Sequence, residues 1–174
     1  DFNRKLQAIR ILAFRAREAK TPRSLPVVVL AALNDTHSRI RFEAVQALIK
    51  TKQRQHVPQL LEAITKEQDL AVHYVAWKTL QALCTKEELR TLQGDSRDAV
   101  RRGALLALLE SHQLSEPEVR DVLNDSNEDN RTLAAAWLAK VADGGEKLIV
   151  KGRPLGRTSD LRMSNRGPVA TLDT

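Results

Sequence analysis

Large rings are scarce: Phe, Trp and Tyr make up only 3% of the 174 residues. A β-sandwich draws on aromatic and β-branched side chains, whereas the small and γ-branched residues that dominate here suit helices packing closely. Cysteine occurs once, as Cys84, so no internal disulfide can form. That fits a reduced compartment and equally an exported protein without bridges. No apolar run reaches the ~18 residues a membrane span requires. The opening Asp1-Phe2-Asn3-Arg4-Lys5 lacks an apolar signal core, so a targeting segment is expected to have been removed or to lie upstream. Before the last stretch of chain the only glycines are Gly94 and Gly103, and no phosphate loop, nucleophile elbow or spaced carboxylate pair can be drawn.

What is present is charge, unevenly spread. The net charge is +6, but residues 1–24 hold +5 and residues 144–174 hold +3, leaving the middle at −2. A groove that tracks phosphates needs cations along one face of the body, and the body is nearly neutral.

A repeat emerges when the polar turns are aligned. Asp35-Thr-His-Ser-Arg-Ile-Arg-Phe-Glu-Ala-Val-Gln-Ala-Leu48 returns 60 residues later as Asp95–Leu108, and 30 further on as Asp125–Leu138. Asp35/Asp95/Asp125, Arg41/Arg101/Arg131, Ala44/Ala104/Ala134 and Leu48/Leu108/Leu138 match in identity. Between the first two lies a looser copy, Val75–Leu83, which aligns best at a shift of 35 and sets Trp77 opposite Phe42. Shorter helical stretches precede each copy: Leu25–Leu33, His56–Lys66, Thr85–Leu92 and Ser115–Leu123. Ser24 before Leu25-Pro26, the capping-box pattern Thr85-Lys-Glu-Glu88 and the acidic first turn Ser115-Glu-Pro-Glu118 mark their starts. Short helix, polar turn, longer helix is an αα-hairpin, and stacked hairpins bury one continuous core. Residues 5–18 read as a helix with no partner before it, so the chain is expected to open midway through a unit.

The turn Asp, the Ile40/Val100 position, the Arg that follows and the Ala-x-x-Ala-Leu run resemble HEAT repeats, in particular the short class of phycobilisome-lyase-type proteins. The resemblance covers roughly residues 1–142 and implies an all-α fold. It predicts an α-solenoid of about four to five stacked hairpins over residues 1–143, with a Gly/Arg-rich extended tail or linker over 144–174. More narrowly, Arg41-Phe-Glu-Ala-Val-Gln-Ala-Leu48, Ala76-Trp-Lys-Thr-Leu80 and Gly103-Ala-Leu-Leu-Ala-Leu-Leu-Glu110 look like the HEAT segment of large exported dehydrogenase-like proteins with a propeller and a c-type haem domain. No Cys-x-x-Cys-His is present, so that redox chemistry maps onto no residue of this chain.

Three sets of residues are candidates for more than packing. The Asp35/Asp95/Asp125 and Arg41/Arg101/Arg131 columns form either a ladder, with each Asp capping its own second helix and pairing with an Arg of the adjacent repeat, or an anion site. Their recurrence with the fold period favours the ladder. Phe42 and Trp77 either pack against neighbouring repeats or form a binding hot spot. With Arg39, Glu43, Lys78, Gln81 and Arg102 around them, and Gln46 nearby, they make the candidate partner-binding set on the inner face that HEAT stacks use to grip partners. His37, His56, His73 and His112 share no metal-ligand spacing with one another or with Cys84, whose apolar run Leu80-Gln-Ala-Leu-Cys84 predicts a buried, inert thiol. Trp137 falls at the Ala47/Ala107 position and reads as a plug in the alanine seam. The sequon matches at Asn34, Asn124 and Asn130 are explained by turn chemistry.

These residues predict a non-catalytic interaction module, without cofactor, that binds a protein partner or a neighbouring domain of its own parent chain. Nucleic-acid binding, suggested by the basic ends, and service as the structural arm of an exported oxidoreductase are the alternatives.

Overall fold

The computed structural model describes residues 1–19 and 24–142, and the expected tail over 144–174 lies outside the described residues. Among the described residues every regular element is helical, with no strand. The described residues fall into two compact units, divided between Ala107 and Leu108.

In the first unit, α1 (Phe2–Glu18) stands alone, and three hairpins follow. The first pairs α2 (Val27–Ala31), prolonged by the 3-10 turn Ala32–Asn34, with α3 (Ser38–Thr51). The second pairs α4 (Val57–Lys66) with α5 (Leu70–Leu83), and in the third α6 (Lys86–Leu92) leads through a polar turn into α7 (Asp98–Glu110). The longer helices α1, α3 and α5 lie side by side, α3 touching both of the others. This is the layered packing of an α-solenoid. In the second unit α8 (Glu116–Asp121) and the 3-10 turn Val122–Asn124 pack on α9 (Glu128–Lys140).

The start signals hold with one exception. Thr85 closes a reciprocal capping box with Glu88, and the Glu118 carboxylate accepts from both the N–H and the hydroxyl of Ser115 at 2.7 Å. Ser24 does not cap α2, which begins at Val27 after Pro26; its hydroxyl lies 3.2 Å from His56 Nε2 at the start of the next hairpin. Helices α3 and α7 end alike: Lys52 and His112 both take the left-handed conformation (φ 53°), and the next N–H groups, of Gln53 and Gln113, bond Leu48 and Leu108 carbonyls.

The first intrahelical bonds of the longer helices fix their register. Arg41, His73, Arg101 and Arg131 donate N–H to the carbonyls of His37, Asp69, Arg97 and Asn127. The second copy is therefore shifted by 32 residues from the first and not by 35. In this register Ala44, Ala76, Ala104 and Ala134 are all buried, as are Ile40, Val72, Val100 and Asn130. Each fully buried Ile or Val of the second column contributes about 1.5–3 kcal/mol. Gly103 lets α7 approach α5: a Cβ there would stand 3.4 Å from Leu80 Cδ1 and 3.8 Å from Trp77 Cβ.

Candidate functional site

The recurring arginines serve the turns. Arg41 Nη1 donates to the carbonyls of Asp35 at 2.8 Å and Thr36 at 3.1 Å; Arg101 does the same to Asp95 and Ser96, and Arg131 to Asp125 and Ser126. These carbonyls close the polar turn and have no helical partner, so the guanidinium satisfies them. The Asp carboxylates accept from the N–H two residues on, at His37, Arg97 and Asn127. Each Arg of the column thus clamps main-chain oxygens of its own turn, and Arg41 also reaches the acid of the next turn, Glu67, which keeps the ladder reading for the first two repeats.

Turn acids also link one hairpin to the helix before it. Glu67 occupies the Asp35 position in the second turn, accepts the Asp69 N–H at 2.8 Å, and takes a two-pronged bond from Arg41. Lys5 of α1 stands in the same relation to Asp35. Lys5, and then the His37 N–H, hold the Asp35 carboxyl below the usual range. For Glu67 burial pulls upward, but the Arg41 fork and the Asp69 N–H together bring it below its ordinary value. Arg97 grips Asp95 through Nε and Nη2, both at 2.8 Å, and also reaches Glu62 of α4. That contact holds Asp95 down at about 2.

The candidate binding set separates into a surface and a core. Trp77 is only 1% exposed. In the observed register it shares a column with Val45 and Leu105, both buried, so its indole is a packing element and contributes no surface to a partner. The side chain opposite Phe42 is Tyr74, whose ring meets Trp77 edge-on at 5.1 Å. Phe42 and Tyr74 are both half-buried. Lys78 Nζ lies 5.1 Å over the Trp77 ring and donates to Gln81 at 3.1 Å, which caps the indole with a polar lid. Arg102 follows Phe42 and Tyr74 in the same column, and Arg39 is exposed one turn before Phe42. Glu43 is buried beside Arg10 of α1, which neutralises it. The set therefore reduces to Phe42, Tyr74, Lys78, Gln81, Arg39 and Arg102 at the surface, with Trp77 and Glu43 beneath.

A second feature escaped the sequence reading. Between α1 and α3 lies a groove of about 620 Å³, lined among the described residues by Arg10, Ile11, Ala13, Phe14, Arg15, Arg17, Glu43, Ala47 and Lys50. Ile11 is 49% and Phe14 58% exposed. Their spacing of three puts both on one helix face, and the burial of Leu6, Ile9 and Ala13 shows that this face is not the packed one.

Cys84 is half-buried at the end of α5, and burial, aided by Glu88, pushes its thiol up to about 11. A thiol so protonated is a poor nucleophile. Trp137, 9% exposed, fills the alanine position of α9. Among the described residues no three His, Cys, Asp or Glu side chains stand together as a metal site, and no helix is long and apolar enough to cross a membrane.

No curated protein and no solved structure matched the chain. The family described as HEAT repeats matches it twice, over residues 1–83 and 26–110, which takes in α1 and the three hairpins that follow. With the turn clamps, the alanine column and this match in agreement, the chain belongs to the HEAT-repeat family.

Proposed function

We propose that the chain is an interaction module that grips a protein partner, or another domain of its parent chain, on the solvated face of its longer helices. HEAT repeats commonly serve as interaction scaffolds. The observation that carries the reading is the pair Phe42 and Tyr74: two rings at equivalent positions of α3 and α5, half-open to solvent above a fully packed layer. Rings held rigidly and wetted on one side, with Lys78, Gln81 and Arg39 around them, supply contact area at little entropic cost. Nucleic acid is less well served, because Lys5, Arg10, Arg41, Arg54 and Arg97 each already hold a carboxylate.

Capture of binding proteins from source cells on the immobilised chain tests this. The variant Phe42→Ala/Tyr74→Ala is expected to lose a specific partner while its far-UV circular dichroism stays unchanged. Retention of every captured protein at wild-type level by that variant would remove the reading.

A further inference from the structure

We propose that the groove between α1 and α3 is a docking site for an acidic peptide segment carrying an apolar anchor, a refinement that rests on the interaction-module reading. The floor is apolar: Ile11 and Phe14 stand about half-exposed, with Ala13 and Ala47 between the helices. Surface rings and branched side chains left open together, beside a recess of this size, mark a contact site.

The rim is basic. Arg10, Arg15, Arg17 and Lys50 face one acid, Glu43, and that acid is buried and already held by Arg10. Arg17 bonds Glu18 at 2.8 Å and lies over the Phe14 ring at 5.7 Å. Arg15 and Lys50 have no carboxylate partner among the described residues. One comes from each wall, so an entering chain would meet a cation on both sides of the apolar floor. A helix with leucines one turn apart and glutamates on either flank is complementary in both respects.

The first-helix side offers a contrast. The groove at Val57, Pro58, Cys84 and Leu92 has one Arg and one Glu, Arg54 and Glu88, already bonded to each other. It favours neither sign of partner. A polynucleotide fits the α1/α3 groove less well than a peptide, because phosphates need a continued row of cations and those beyond the groove are committed to carboxylates.

Fluorescence anisotropy provides the test. The probe is a labelled peptide of about fifteen residues with two leucines at i and i+4 and four flanking glutamates. Two controls accompany it: the same peptide with glutamine for glutamate, and a labelled oligo-thymidylate. The proposal expects saturable binding of the acidic peptide. It expects at least about tenfold weaker binding of the glutamine version, and a similar loss in Arg15→Glu/Lys50→Glu and in Phe14→Ala, all with unchanged helicity. These three residues are exposed, so the variants are expected to fold. No binding, equal binding of the two peptides, wild-type affinity in the variants, or tighter binding of the oligonucleotide would each overturn it.

The same variants in the capture experiment separate the two readings. Loss of the partner with Arg15→Glu/Lys50→Glu supports the groove. Loss only with Phe42→Ala/Tyr74→Ala overturns the groove and leaves the interaction module standing. Loss with neither overturns both.

Discussion

Arg41 of α3 holds Glu67 of the next turn in a two-pronged ion pair, Nε to Oε2 and Nη2 to Oε1, each at 2.7 Å. The Glu67 side chain is 3% exposed and that of Arg41 19%, so water does little to screen the pair. The same guanidinium closes the turn carbonyls of its own hairpin. One side chain thus seals a turn and ties it to the next repeat. Arg41→Met strands a buried carboxylate and two carbonyls, and is expected to cost about 3 kcal/mol. Glu67→Gln removes only the charge and should cost about 1–2 kcal/mol. The double variant should lose clearly less than the sum, as groups in direct contact do. Urea unfolding of all four proteins measures this; strict additivity would show that the pair contributes nothing.

Much of this device was legible before any coordinates. The turn Asp, the Arg six residues on and the Ala three beyond recur because each solves the same problem in each hairpin. The second copy hid its register because Glu67 replaces the Asp and His73 the Arg, so Trp77 was placed opposite Phe42. Helix-start bonds, which sequence identity does not reveal, put Trp77 in the core column with Val45 and Leu105. The groove was missed for a related reason. Ile11 and Phe14 have the spacing of a buried stripe, and spacing cannot say which stripe of α1 meets a neighbour.

The reassigned tryptophan gives a test of its own. Trp77→Ala opens a large hole against Gly103 and Tyr74 and should destabilise the fold by about 3–5 kcal/mol. Phe42→Ala removes a ring that is only partly buried and should cost clearly less, about 1–2 kcal/mol. Thermal or urea denaturation compares them. Equal costs would return Trp77 to the surface and undo the register.

Gly103 separates two opposing effects. Alanine there gains about 1 kcal/mol of helix propensity. Its Cβ would meet Leu80 Cδ1 at 3.4 Å, a contact a small shift of one side chain relieves. Gly103→Ala is expected to leave stability unchanged or raise it by less than about 1 kcal/mol. Gly103→Leu has no room against Trp77 and should cost about 1–3 kcal/mol. Unfolding midpoints decide it, and a stabilising Leu would mean that α7 does not approach α5 this closely.

The carboxylates set the acid limit of the fold. Asp95 is held at about 2, first by the Arg97 side chain and, against the opposing pull of burial, by the Arg97 N–H. An unfolded aspartate titrates near about 3.9. A depressed folded value means the unfolded chain takes up the proton first. The stabilisation is therefore complete above about pH 4 and is lost as pH falls toward 2. Asp35, Glu67 and Asp69 are shifted in the same direction, so their losses add to it. Asp95→Asn keeps the acceptor for the Arg97 N–H but has no charge to lose. Its stability should start lower at pH 7 and fall less steeply between pH 4 and 2 than that of the unmodified chain. Denaturant titrations across that range measure the two slopes. Parallel curves would show that Arg97 does not hold Asp95 as described, because an aspartate with an ordinary folded value contributes no slope to remove.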